Sequence, residues 1–253
     1  DNRSINKFKS ILRQYPNLSI IVGGVTLELS EKEPRAKPLS QESDQWYKVY
    51  NSALSISNTE LQMYHKSKLV PGAEQMPFQE FLYPIFNDQV LQIGSSTALG
   101  NFAKQDSISL FSTFNKNYLA PIICYESIYG DYVRQFINKG AELICVITND
   151  GWWKKTSGYL QHHAYARLRA IETRRYVARS ANTGISSVIN HVGEVKKKIE
   201  WDVKDVLEHT IPIFNHKTFY VKHGDVIGRL CSLFSVFLFL YFFVLNKLKI
   251  KSK

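Results

Sequence analysis

Apolar and polar positions along the chain fall into short blocks, most of them closed by Pro, Gly, Asn or Asp. Leu18–Val25, Tyr47–Ile56, Glu60–His65, Leu119–Cys124, Leu143–Thr148 and Gly184–Asn190 each read as a strand. Phe8–Tyr15 has the spacing of an amphipathic helix, and Pro16-Asn17 breaks it. Two further helices are expected, over Asp131–Lys139 and Leu160–Arg179. In the second, Leu160, Ala164, Leu168, Ile171 and Arg175 share one face. Strands alternating with helices define an α/β chain. The insert Glu31–Asp44, rich in Glu, Lys, Pro and Ser, reads as a surface loop. Phe78–Gln105 is irregular with apolar patches, a pattern suited to a lid or to a segment that dips into lipid. No internal repeat is visible.

The last block differs from the rest. Leu230–Leu245 (LCSLFSVFLFLYFFVL) is sixteen residues without a charge, and Val226 extends it to twenty with Arg229 near the edge. A membrane-spanning helix needs about 20 residues, so this run is long enough if Arg229 snorkels. It is apolar on every side, whereas a helix in a soluble core carries a polar stripe. The basic tail Lys247–Lys253 predicts a cytoplasmic C-terminus, with everything before Val226 on the far side of the membrane.

Composition narrows the classes. At 253 residues, with 44% hydrophobic and 13% aromatic content, the chain can bury a large core and is not disordered. The net charge is +10, but Lys247, Lys249, Lys251 and Lys253 all lie in the tail. No basic block with interleaved aromatics recurs, so nucleic acid is not an expected partner; anionic lipid is. Three cysteines do not make a disulfide scaffold. The first residue is Asp1 rather than Met, so the chain is expected to be processed or a fragment, and no signal segment opens it.

Four places carry candidate chemistry. Cys124 ends an apolar strand and precedes a short turn and a helix, the layout of a nucleophile elbow, in which a helix N-terminus would favour thiolate. A buried structural cysteine fits this stretch equally well. Cys145 is mid-strand and Cys231 lies in the apolar block, so both are expected to be inert. Lys66, at a strand end before a Pro-Gly turn, could stabilise an oxyanion, although a lysine-rich turn is more commonly solvated. Asn149-Asp150-Gly151 is an ordinary turn signal, but Trp152 and Trp153 after it could wall a pocket. His162 lacks the partner spacing of a metal site and reads as structural; no metal or cofactor is expected.

The order of these segments is more specific than any one of them. Tyr64-His-Lys66 with Leu69-Val-Pro71 and Glu74, then Ile-Cys124-Tyr125-Glu126, then Asn149-Asp-Gly-Trp152, then Gln161-His162 leading to Arg167-Leu-Arg-Ala-Ile-Glu172, then Asn182-Thr-Gly184 resembles the nitrilase, or carbon–nitrogen hydrolase, superfamily. The likeness runs from about Leu18 to Leu245. Tyr220 and Gly224-Asp225 before an apolar helix resemble its membrane-bound N-acyltransferase branch. The resemblance implies a nitrilase-like αββα sandwich over 1–224, with its N-terminal strand missing, then a transmembrane helix over 225–246 and a basic cytoplasmic tail over 247–253. It implies Cys124 as nucleophile, Lys66 as stabiliser of the tetrahedral intermediate, and Glu74 and Glu126 as the family's further catalytic glutamates. Tyr125, Trp152 and Asn149 match substrate-binding positions. The implied reaction moves an acyl chain from a phospholipid donor, through a thioester, to the amine of a diacylglyceryl lipoprotein acceptor at a bacterial inner membrane.

The family's general-base glutamate sits in a Pro-Glu turn ahead of the helix that corresponds to Ile5–Tyr15, and this chain begins past it. Glu28 follows the next strand and is not assigned that role. The chain as given is therefore expected to lack acyl transfer on its own. Two alternatives remain: a membrane-tethered amidase of the same superfamily, and an inactive truncated domain.

Overall fold

A computed structural model describes residues 2–33, 35–40, 44–75 and 102–251. The first helix, α1 (Asn2–Gln14), buries Leu12 completely, and Asn58 Nδ2 donates to the Leu12 carbonyl at 2.8 Å. Strand β1 (Ile20–Ser30) follows and runs antiparallel to β3 (Trp46–Ile56) over its whole length, from Ile20 opposite Ile56 to Ser30 opposite Trp46. It continues past the expected end at Val25, because Thr26–Ser30 pair with Trp46–Tyr50 although Leu27 and Leu29 face solvent. The surface insert contributes the two-residue β2 (Lys37–Pro38), and β4 (Leu61–His65) returns along the other edge of β3 through a tight turn.

The second sheet has the order β10-β9-β8-β7-β6-β5. Its centre is parallel: β6 (Tyr118–Ile123), β7 (Leu143–Thr148) and β8 (Tyr176–Ala181), joined by α2 (Gly130–Asn138) and α3 (Ser157–Thr173). Its edges, β5 (Phe111–Ser112), β9 (Ser186–Ile189) and β10 (Val195–Ile199), are antiparallel. The two sheets meet face to face. A Cβ on Gly23 of β1 would come within 2.8 Å of Ile147 Cγ2 on β7, so that close approach requires glycine. With α1 outside the first sheet and α2 and α3 outside the second, the layers are αββα.

The helix expected over Leu160–Arg179 is corrected in two ways. It ends at Thr173, where Arg174 turns left-handed (φ 53°), and Tyr176–Ala181 form the strand β8. Its buried face is His162, His163, Ala166, Arg169, Ala170 and Thr173, while Leu160, Leu168 and Ile171 are exposed. Small and hydrogen-bonding side chains let the helix lie close to the sheet. Arg175, expected on that helix face, is fully buried in the turn, where its guanidinium donates to the carbonyls of Ala141 and His216.

After α4 (Phe219–His223) comes α5 (Val226–Lys251). Over Val226–Lys247 it is the one helix among the described residues long and apolar enough to cross a membrane, and none of that window is buried. Side chains from Ile227 to Val244 are exposed on all sides.

Candidate active site

The parallel strands of the second sheet all point the same way, so residues just past their carboxyl ends gather at one edge, where open α/β sheets place ligands. Cys124 stands directly after β6, half-buried, and opens a five-residue 3-10 turn, Cys124–Ile128; the regular helix α2 starts only at Gly130. Its backbone is left-handed, with φ 48°. A non-glycine residue pays about 1–3 kcal/mol for such a conformation, which survives only where the surroundings enforce it. Cys145 lies inside β7, buried, and burial pushes its thiol up to about 12. Cys231 is exposed on α5.

Lys66 follows β4 directly, and its side chain is fully buried, not solvated as a lysine-rich turn would suggest. Its ammonium donates to both oxygens of Glu74, at 2.9 Å to Oε1 and 2.7 Å to Oε2. Glu74 also accepts from Asn51 Nδ2 (2.9 Å) and from the Val70 amide (2.8 Å). The Pro-Gly turn between Lys66 and Glu74 closes through Gly72 N donating to Gln75 O at 2.7 Å, which brings the two residues, eight apart, onto each other. Glu28 is elsewhere: half-exposed on β1, it pairs with His65 Nε2 at 2.9 Å.

Glu126 joins these two halves. Its Oε1 accepts from Tyr64 Oη (2.6 Å) and from the amides of Ser67 (2.7 Å) and Lys68 (3.2 Å), while Oε2 accepts from the Ile123 amide (2.9 Å). One carboxylate thus bonds the residues just after Lys66 and the residue just before Cys124. Burial pushes the Glu126 carboxyl above its ordinary range, against the pull of those four donors. Burial and the neighbouring carboxylate also raise Tyr64, and they push Tyr132, whose hydroxyl lies 2.6 Å from that of Tyr64, up to about 12.

The remaining expected positions are half-buried or exposed. Tyr125 is half-buried and packs edge-on against Tyr129, with ring centres 5.2 Å apart. Asn149 is exposed, and its side chain accepts from the Gly151 amide at 3.1 Å, capping the turn Asp150–Trp153. Trp152 and Trp153 present 69% and 48% of their surface to solvent. The segment expected to act as a lid lies outside the described residues up to position 101; Ala103, near its end, donates from its amide to Val49 O at 2.8 Å.

Beneath Cys124 lies a buried polar cluster that sequence reasoning did not assemble. Asp150 Oδ1 is 2.7 Å from His162 Nδ1 and accepts from Thr148 Oγ1 at 3.0 Å; Asp150 Oδ2 accepts from Arg179 Nη2 at 2.5 Å. His162 Nε2 is 2.9 Å from Ser127 Oγ and 3.1 Å from the Cys124 carbonyl oxygen. Burial would raise the Asp150 carboxyl, but the bond to His162 and the Arg179 charge overcome it and hold the group below its ordinary value. Gly184, at φ 117°, makes room for this: a Cβ there would stand 2.4 Å from Asp150 Oδ2. Asp150 had read as a turn residue and Arg179 as a helix end. The one available signal was an Asp two residues past a strongly apolar strand. Among the described residues no group of three or more His, Cys, Asp or Glu is placed to hold a metal ion.

A half-buried cysteine on a left-handed turn thus stands on an αββα frame, tied through one carboxylate to the backbone beside a buried lysine–glutamate pair. The chain belongs to the carbon–nitrogen hydrolase family, whose model matches residues 17–214. It is similar to the apolipoprotein N-acyltransferases of Chlorobaculum tepidum (32% identical over 191 residues, 73% of this chain and 35% of that protein) and of Wigglesworthia glossinidia brevipalpis (32% over 199 residues, 75% and 39%). The chain thus spans little more than a third of the length of these curated relatives. In fold it resembles the crystal structures of a carbon–nitrogen hydrolase from Helicobacter pylori G27 (TM-score 0.53, 13% identity, covering 80% of this chain and 65% of that one) and an amidase from Nesterenkonia sp. (TM-score 0.50, 14% identity, 79% and 64%).

Proposed function

We propose that the chain is the thiol-bearing portion of an apolipoprotein N-acyltransferase. The observation that carries this reading is the Glu126 clasp, which holds the turn of Cys124 against the buried Lys66–Glu74 pair. In the proposed first step the Cys124 thiolate attacks an ester carbonyl of a phospholipid. A C–S bond forms, the C–O bond breaks, and the lysophospholipid leaves as an alkoxide that takes up a proton. Lys66, fixed by Glu74, stabilises the negative oxygen of the tetrahedral intermediate. The α-amine of a diacylglyceryl-cysteine then attacks the thioester. A C–N bond forms, the C–S bond breaks, the amine gives up a proton and the thiolate returns. The amide formed is more stable than the thioester, which drives transfer forward.

Tyr125, Asn149 and Trp152 line the approach, and the exposed tryptophans suit a chain arriving from lipid. Glu126 acts as a positioning residue, since all its partners are internal. Helix α5 anchors the domain in the bacterial inner membrane, with the basic tail cytoplasmic and residues 1–224 on the periplasmic side.

The test is the intact mass of the full-length protein after incubation with phospholipid vesicles, wild type against Cys124→Ala. A mass gain of one acyl chain in the wild type alone supports the reading. A gain retained by Cys124→Ala, or no gain in either, overturns it. Release of free fatty acid in place of transfer to an added lipopeptide amine makes the protein a hydrolase.

A further inference from the structure

We propose that His162 is a positioning residue for Cys124: held by Asp150 from below, it fixes the Cys124 carbonyl and so enforces the left-handed backbone that presents the sulfur. The inference rests on Cys124 being the reactive thiol of the proposed function.

The argument starts from strain. Nothing in the Cys124 side chain favours φ 48°, so the conformation needs external restraints. Glu126 provides one on the N-terminal side, through the Ile123 amide. The C-terminal side of Cys124 needs another. Its carbonyl oxygen accepts from Ser127 Oγ at 2.8 Å and has His162 Nε2 at 3.1 Å. That ring is itself immobilised. Asp150 lies 2.7 Å from Nδ1, and Asp150 is in turn held by Thr148 and Arg179, two bonds from two further strands. With Nδ1 against the carboxylate, the ring plane is set and Nε2 can only face Ser127 and Cys124. Asp150, Ser127 and His162 are all buried, at 0%, 0% and 5% exposure. Ring rotation would cost the buried Asp150 its 2.7 Å partner and leave Oδ1 to the Thr148 hydroxyl alone. The chain Arg179–Asp150–His162–Ser127 therefore carries the rigidity of β7 and β8 to the turn after β6.

The test reads the sulfur without lipid, so its failure is separable from failure of acyl transfer. The full-length protein in detergent is treated with iodoacetamide, and alkylation of Cys124 is followed by peptide mass mapping in wild type, His162→Ala, His162→Gln and Ser127→Ala. The glutamine amide can donate from nearly the place of Nε2. Misplacement of a reacting atom by about an ångström is worth about 10² in rate. His162→Ala is expected to slow Cys124 alkylation at least about tenfold, with His162→Gln within about threefold of wild type. Wild-type alkylation in His162→Ala, or His162→Gln as slow as His162→Ala, overturns the proposal. If His162→Ala does not fold, Ser127→Ala decides: slowed alkylation supports the relay, and an unchanged rate overturns it.

Discussion

Lys66 shows how much one side chain depends on its partners. Replacing it with alanine removes the ammonium but leaves Glu74 bonded to Asn51 and Val70, so the fold should stand. Acylation of Cys124 in Lys66→Ala should fall about 10²–10³-fold, as for loss of an oxyanion donor, measured as the rate of mass gain with phospholipid. Glu126→Gln behaves oppositely. Its amide nitrogen would face a donor where four donors now meet a carboxylate, so stability should drop by about 2–3 kcal/mol, visible as a lower denaturant midpoint at unchanged slope. His163 gives a pH signature. Burial, then the nearby Arg179, Arg167 and Lys198, lower it from 6.5 to about 4. Between those values the unfolded chain binds the proton and the folded one does not, so stability present above pH 6.5 is lost as pH falls toward 4, by up to about 3 kcal/mol. Urea midpoints at pH 7 and 4.5 should show the wild type losing more than His163→Gln. The spacing of Lys66, Glu74 and Cys124 was legible in the sequence. The burial of Lys66 was not, because Asn51, which helps hold its partner, arrives from a strand fifteen residues earlier.

At the level of elements, β6 and β7 were readable because they are continuous apolar runs, whereas β8, which carries Arg179 and Ser180, read as the end of a helix. The reading failed where side chains of the wrong type perform the packing. Helix α3 buries two histidines and an arginine, so its exposed leucines mimicked a core face. Strand β10 carries Lys196, Lys197 and Lys198 and gave no strand signal; it forms by pairing with β9 at the sheet edge. The turn between β8 and β9 is more demanding than its sequence suggests. Gly184→Ala would add a methyl group 2.4 Å from Asp150 Oδ2 at φ 117°. It should cost about 1–3 kcal/mol, lowering the melting temperature by several degrees, and slow Cys124 alkylation through the displaced Asp150.

For the whole molecule, α5 separates cleanly from the sandwich. Among the described residues its only ion pair with the body is a loose approach of Arg229 to Asp131 at 3.8 Å, and none of its membrane-length window is buried. Truncation after Asp225 should therefore leave the melting temperature of the domain within about 2 °C and move the protein from the membrane to the aqueous fraction. A large fall in melting temperature would show that α5 braces the sandwich. The apolar helix itself was visible in the sequence from hydropathy alone, since a run of that length without charge has no polar face to turn outward.

The positive φ of Cys124 leaves a mark on the usual ranking of substitutions. Almost everywhere in a protein, exchanging alanine for glycine weakens the fold, because the freer backbone has more disorder to give up. Here the order should invert: with the sulfur gone in either case, Cys124→Gly should outlast Cys124→Ala by about 1 kcal/mol, since only alanine still carries a Cβ into the left-handed well. The position favours the residue with no side chain at all, yet it holds the thiol on which the proposed transfer rests.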